Sequence, residues 1–96
     1  MRRVVQSELV KAAVRRATSE RPTFQKFFED GVIWQLERGP LDSVEIAGLN
    51  PPVYLIQSIA WLHEGMPELH IQYTPMDGGI ELVGLALYER EKKPAK

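Results

Sequence analysis

The spacing of apolar residues changes from that of a strand to that of a helix near the N-terminus. Residues 3–6 are rich in β-branched side chains and lead to Ser7, a residue type that caps helices. Beyond it, apolar side chains recur at i, i+3, i+4 and i+7, at Val10, Ala13, Val14 and Ala17. The pattern predicts a strand over 3–6 that runs directly into a helix over about 8–18.

A second helix is predicted after a joint at 19–21. Pro22 suits the first turn of a new helix. The residues after it form a wide apolar arc, which is typical of a helix that lies on a sheet and contacts another helix. The arc consists of Phe24, Phe27, Phe28, Val32, Ile33, Trp34 and Leu36. We expect Trp34 to lie in the core. The sequence Arg38-Gly39-Pro40 ends the helix, with Gly39 expected to form a left-handed cap.

Three strand patterns follow a segment, 41–52, that is predicted to be a surface connection. Residues 53–58 are rich in strand formers, and 59–62 extend them. Residues 69–74 alternate strictly, which places Leu69, Ile71 and Tyr73 on a buried face and His70, Gln72 and Thr74 on a solvated one. Residues 77–79 suit a hairpin loop, and 80–88 form a strand that is apolar on both faces, as is typical in the middle of a sheet.

The order strand, helix, helix, strand, strand, strand predicts an α+β fold. It consists of an N-terminal strand, a helical hairpin and a three-stranded antiparallel meander. A length of 96 residues, of which 44% are hydrophobic, fits one domain over 1–96. The charged tail, 91–96, is expected to fray.

Composition excludes several classes of chemistry. The chain has no cysteine, which excludes disulfides and thiolate sites and favours a reducing compartment. No apolar run approaches the roughly 18 residues of a membrane span, and no signal-peptide pattern follows Met1. We therefore expect a cytoplasmic protein without membrane contact. Phosphate loops, nucleophile elbows and metal-ligand spacings are missing from the sequence, so no cofactor and no metal is predicted.

The formal net charge of −1 conceals three blocks of opposite sign. Residues 1–26 carry +5, residues 27–82 carry −8 and residues 83–96 carry +2. The basic blocks predict a patch where the first helix meets the C-terminus, with Arg15, Arg16 and Lys92 as candidate contacts for an acidic protein segment or a nucleic-acid backbone. A solvated helix face explains the same charges without a partner.

The two histidines are the natural candidates for general acid or base chemistry. His63 lies near a predicted turn, where a histidine is most often only polar surface. His70 lies in mid-strand on the solvated face, and a rigid strand holds a catalytic group more precisely than a loop does. His70 is therefore the stronger candidate.

Three stretches and the order of elements carry a resemblance. Residues 34–40 (WQLERGP) resemble a helix that ends in a leucine, a basic residue and an X-Pro turn, and the run 53–57 (VYLIQ) is a second matching stretch. Residues 67–73 (PELHIQY) with 77–88 (DGGIELVGLALY) look like a strand, a short turn and a final apolar strand. Together they resemble the RelE/ParE toxin superfamily of bacterial toxin–antitoxin modules, over most of the chain.

The resemblance implies specific roles. In the family's ribosome-dependent ribonucleases, basic residues on the sheet hold mRNA, and a tyrosine or histidine assists proton transfer. It implies His70 as general acid or base, Tyr88 as a stacking or proton-donating group and Arg90 as a phosphate contact. The sequence departs from the family because residues 39–89 contain no Lys or Arg, which removes electrostatic stabilisation of phosphoryl charge.

The resemblance also implies partners. These are a small antitoxin and, as cellular target, either the ribosome with its mRNA or DNA gyrase. The oligomeric state is a separate question, for which a homodimer is left open beside a monomer. The rival hypothesis is a non-catalytic protein-interaction domain on the same fold that has lost the ribonuclease residues. A third hypothesis is a small nucleic-acid-binding protein that uses the basic first helix.

Overall fold

The first strand runs directly into the first helix, as the sequence predicts. The computed structural model describes residues 1–57 and 67–88 of the chain. In it, β1 (Arg3–Gln6) is followed by α1 (Glu8–Glu20), which extends two residues beyond the predicted end. The Ser7 side chain accepts a hydrogen bond from the Val10 backbone N–H at 3.3 Å. This bond satisfies an N–H group that has no partner inside the helix, so the strand ends where the cap begins.

The second helix is continuous over 24–38 but changes its geometry in the middle. It consists of α2 (Phe24–Lys26), a π-helical segment (Phe27–Ile33) and α3 (Trp34–Arg38). Its buried side chains recur every four residues, at Phe24, Phe28, Val32 and Leu36. Four residues turn an ideal α-helix by about 400°, so this spacing would drift around its surface. The wider π turn keeps the buried side chains on one side.

Two expectations at the end of the second helix are wrong. Gly39 has φ −91° and ψ 172°, which is extended backbone rather than a left-handed cap. Trp34 is 51% exposed instead of buried. The Arg38 guanidinium carbon lies 4.9 Å from the centre of its ring, a cation–π contact that helps to hold the indole at the surface.

The sheet is larger than predicted. Its other strands are β2 (Val44–Ile46), β3 (Val53–Gln57), β4 (Glu68–Met76) and β5 (Gly79–Tyr88). They form one sheet in the order β1-β5-β4-β3-β2, in which β1 is parallel to β5 and all other neighbours are antiparallel. The α+β class is therefore confirmed, whereas the prediction of a three-stranded antiparallel meander is wrong because the sheet is mixed and five-stranded.

Two features of the sheet, the strand β2 and the pairing of β1 with β5, were not predicted, for different reasons. β2 has three residues and lies in the segment predicted to be a surface connection; so short a strand shows no readable alternation. β1 was predicted as a strand, but the spacing of its apolar residues carries no information about its neighbour. Its pairing with β5 depends on how the helical hairpin returns the chain to the sheet.

A β-bulge interrupts the pairing of β4 with β5. Leu82 lies opposite Tyr73, but Gly84 lies opposite Gln72. Val83 is therefore an extra residue on β5. A bulge of this kind exchanges the faces on which the following side chains lie.

The core lies between the two helices and one face of the sheet. Before the bulge, Ile80 and Leu82 face this core, and after it Leu85 and Leu87 pack against it. The alternation predicted for β4 is confirmed, since Leu69, Ile71 and Tyr73 are buried. Within the described ranges, no helix combines the length and apolar character required to span a membrane.

The remaining predictions for 58–66 and 89–96 lie outside the described residues. They are the extension of β3 over 59–62, the position of His63, the roles of Arg90 and Lys92, and the frayed tail.

Candidate functional site

The sheet face opposite the core, here called the open face, is built by strand alternation. On β4, every second side chain points away from the core and lies on the open face. The register of β4 with β5 places Ala86 opposite His70 and Gly84 opposite Gln72 on the same face. On β3, Gln57 is the partner of His70. The open face is thus defined by Leu55, Gln57, Glu68, His70, Gln72, Gly84, Ala86 and Tyr88.

A shallow groove of about 550 Å³ runs over the middle of the open face. Its polar wall comes from His70 and Gln72, and its apolar floor from Leu55 and Ala86. Leu9 from the start of α1 contributes to the rim and is 75% exposed. The groove combines apolar surface with a few polar groups, which is typical of sites that bind ligands or protein segments.

His70, Glu68 and Tyr88 form a cluster at one end of this groove. The His70 Nε2 and Glu68 Oε2 atoms are 2.7 Å apart, and the ring centres of His70 and Tyr88 are 4.4 Å apart. Glu68 and His70 are two residues apart on one strand, so they share a face. Tyr88 is the β5 partner of Glu68, which brings the phenol beside the imidazole.

This geometry defines what the cluster can do chemically. An ionised carboxylate only accepts hydrogen bonds, so the neutral imidazole donates from Nε2 to Glu68. Nδ1 is then the nitrogen that accepts a proton, as a general base must. Protonated His70 acts in the opposite direction, as a general acid held by the same carboxylate. Tyr88, which is 52% exposed, offers a phenol and a stacking surface.

The structure brings together two of the residues singled out in the sequence and separates the others. His70 and Tyr88 meet on the open face. Arg15 and Arg16 are exposed on α1, and Arg16 borders a second groove with Leu85 and Leu87 on the core side of β5. Neither arginine lines the groove that holds His70.

Sequence reasoning missed Glu68. Its position two residues before His70, on a strand with strict alternation, was sufficient to predict a shared face. The exposed Leu9 was also missed because it was assigned to the start of a helix and not to the border of a sheet.

The electrostatics of the open face are set by the absence of cations from the sequence 39–89. β2 to β5 therefore carry carboxylates but no Lys or Arg. Arg3 on β1 is exposed, but it pairs with Gly79, nine residues along β5 from Tyr88. At a rise of about 3.3 Å per residue this is about 30 Å away. Proton transfer and stacking are available at the cluster, whereas these strands do not neutralise a phosphate.

Metal chemistry has no support in the described part of the chain. Within residues 1–57 and 67–88, no three His, Asp or Glu side chains come together in a way that could hold a metal ion.

Comparison of the chain with protein-family models, with curated proteins and with solved structures finds no match.

Proposed function

We propose that this chain is the toxin component of a RelE/ParE-like toxin–antitoxin module. In this proposal the free protein inhibits growth, and a small antitoxin neutralises it. The order of elements supports the proposal: a strand, a helical hairpin and a run of antiparallel strands, with one sheet face that no helix of the described ranges covers. The observation that carries a catalytic role is the contact of His70 with Glu68 and Tyr88 on that face.

If the target is mRNA, each member of the cluster has a defined task. His70 takes the proton from the ribose 2′-hydroxyl as that oxygen attacks the neighbouring phosphorus and the 5′-oxygen leaves. Protonated His70, or Tyr88, returns a proton to the leaving oxygen. Tyr88 also stacks on a base, and Glu68 holds the imidazole through its Nε2 atom. Arg90, outside the described residues, is the phosphate contact that the resemblance implies.

Induced expression in a bacterial host tests the proposal. Growth and mRNA integrity are followed for the wild type and for His70→Ala, His70→Gln and Glu68→Gln. Loss of a general acid or base lowers catalysis by about 10²–10⁴-fold, so both His70 variants are expected to abolish RNA cleavage. Glu68→Gln is expected to weaken cleavage because the imidazole loses its charged partner. Glu45→Gln, which neutralises an exposed carboxylate on β2, is the matched control.

The outcomes separate the parts of the proposal. Normal growth on induction of the wild type rejects the toxin assignment. A different result is growth inhibition that leaves mRNA intact and is equally strong in His70→Ala. It rejects His70 as a catalytic residue and favours a protein target such as gyrase. RNA cleavage that disappears in both His70 variants but persists in Glu45→Gln supports the proposal that the chain is a ribonuclease.

A non-catalytic interaction domain on the same fold is the second candidate function. The observation that favours it is the lack of Lys and Arg over 39–89, since catalysis at phosphorus draws strongly on positive charge. This candidate predicts that induction leaves growth and mRNA unchanged. It also predicts that a charge on the apolar floor of the groove, as in Ala86→Glu, abolishes binding of a captured protein partner while the fold is retained.

A further inference from the structure

The two halves of β5 differ in their neighbours. Residues 79–82 pair with β1 on one side and β4 on the other. The last contact to β1 is the hydrogen bond from the Ser7 N–H to the Leu82 carbonyl oxygen at 3.0 Å, because the chain then turns into α1. Within the described ranges, residues 83–88 pair only with β4. Their other side, here called the β5 edge, has no strand partner among those residues.

The β5 edge lacks the features that normally protect a free strand. Its sequence, VGLALY, contains no charged residue and no proline. Lys, inward-pointing charges and proline are the usual means by which proteins prevent a further strand from pairing with an exposed edge. An unprotected apolar edge of this kind is a template for strand addition.

A groove of about 330 Å³ runs between this edge and α1. Ala13 and Ala17 face it from the helix, and Leu85 and Leu87 from the strand. The alanine side chains allow another backbone to come close to α1. A strand added to the β5 edge would pack beneath these alanines and cover the partly buried leucines.

The polar rim of this groove indicates which strand fits. Arg16 and Glu20 both border it, one helical turn apart, so the rim carries one positive and one negative charge. A purely acidic segment would meet Arg16 but be repelled by Glu20. A surface that carries both signs is complementary to itself when a two-fold axis reverses its direction, because residue i then meets residue j and j meets i.

We propose that the β5 edge and the adjoining groove are the interface of a homodimer. Two β5 strands pair antiparallel across a two-fold axis, so that the two sheets become continuous. The two α1 helices lie antiparallel over the new strand pair, with Ala13 and Ala17 at the contact. Arg16 of each copy pairs with Glu20 of the other. This assembly does not depend on growth inhibition or on RNA cleavage.

Charge reversal at the rim tests the proposal in a way that a folding defect cannot imitate. Oligomeric state is measured by light scattering and analytical ultracentrifugation for the wild type, Arg16→Glu, Glu20→Arg and the double variant. Each reversal occurs twice in a symmetric dimer, so each single variant is expected to weaken association about tenfold or more. The double variant restores the pairs and the dimer. Lys26→Glu, which changes an exposed charge on the second helix, is the matched control.

Mixing the two single variants gives the decisive result. An equimolar mixture of Arg16→Glu and Glu20→Arg is expected to form a heterodimer more tightly than either variant forms a homodimer. In the heterodimer both rim contacts join opposite charges, whereas in each single-variant homodimer both contacts join like charges. A wild type that stays monomeric at its highest soluble concentration overturns the proposal. So does a dimer that both single variants retain at wild-type affinity, since it would use another surface.

Discussion

Replacement of Gly79 by alanine is expected to detach β1 from the sheet. A Cβ atom at this position would overlap the Arg3 carbonyl oxygen and lie 2.6 Å from the Arg3 carbonyl carbon and 2.8 Å from its backbone nitrogen. These are backbone atoms of the neighbouring strand, so no side-chain rotation relieves the overlap. Movement of β1 or of the start of β5 relieves the overlap, and either movement separates the two strands.

The pairing that would be lost sets the magnitude. β1 pairs with β5 over four residues, and hydrogen bonds of 3.0 Å from Arg3 to Gly78 and from Ser7 to Leu82 extend that pairing at its two ends. A backbone hydrogen bond contributes about 1 kcal/mol net. Displacement of β1 that breaks three of them therefore costs about 3 kcal/mol, which is a large part of the stability of a small domain.

Gly78→Ala is the matched control for this variant. Gly78 has φ +77° and open space around its Cβ position, so alanine there meets backbone strain but no neighbour. The left-handed conformation costs an L-residue about 1–2 kcal/mol. We therefore expect Gly79→Ala to be the more damaging of two adjacent glycine substitutions.

Urea unfolding followed by circular dichroism measures both variants against the wild type. In thermal unfolding, 1 kcal/mol corresponds to about 4–8 °C for a domain of this size. A free energy of unfolding for Gly79→Ala equal to or above that for Gly78→Ala would contradict the reasoning. It would mean that β1 does not lie against β5 in this register, and the mixed five-stranded sheet would have to be abandoned.

Two further stability predictions follow from single hydrogen bonds. Tyr73→Phe removes the 2.7 Å contact between the Tyr73 and Ser43 hydroxyls and is expected to cost about 1 kcal/mol in urea unfolding, whereas an unchanged midpoint would show that water replaces this bond at no cost. Ser7→Ala removes the cap of α1 and is expected to lower the free energy of unfolding by about 1 kcal/mol. Ser7→Asp, which can restore the cap, is the control, and equal losses of stability in the two variants would refute the capping role.

The sequence predicts those parts of the fold whose hydrophobic period is regular. Leu69, Ile71 and Tyr73 alternate without interruption, and all three are buried as expected. The strong N-cap at Ser7 likewise marks the start of α1. In these segments local preference and tertiary packing agree, so a pattern read along the chain is enough.

The sequence fails where tertiary packing changes the local period. In the second helix, a four-residue spacing of buried side chains is accommodated by a π-helical segment, which sequence patterns do not distinguish from an α-helix. Trp34 shows the same limit, because its position on an apolar arc predicted burial, but it is exposed beside Arg38. The candidate site was predicted in part. The sequence singles out His70 and Tyr88, but it does not show that their rings are in contact.

The bulge at Val83 explains that contact and much of the chemistry of the open face. Without the extra residue, the register that places Leu82 opposite Tyr73 would continue, and Leu85 would lie opposite His70. The bulge shifts the register by one, so that Ala86 takes that place. It therefore moves a leucine from the open face to the core and replaces it by alanine.

The same shift assembles the candidate site at the end of β5. Tyr88 becomes the partner of Glu68, and its ring reaches His70. Bulges occur preferentially beside functional sites because they redirect side chains without breaking the strand. Residues 80–88 are apolar at successive positions, but this pattern does not mean that both faces of the strand are buried. It follows from a strand that exchanges its faces halfway, with the second half supplying both the phenol beside His70 and the leucines beneath α1.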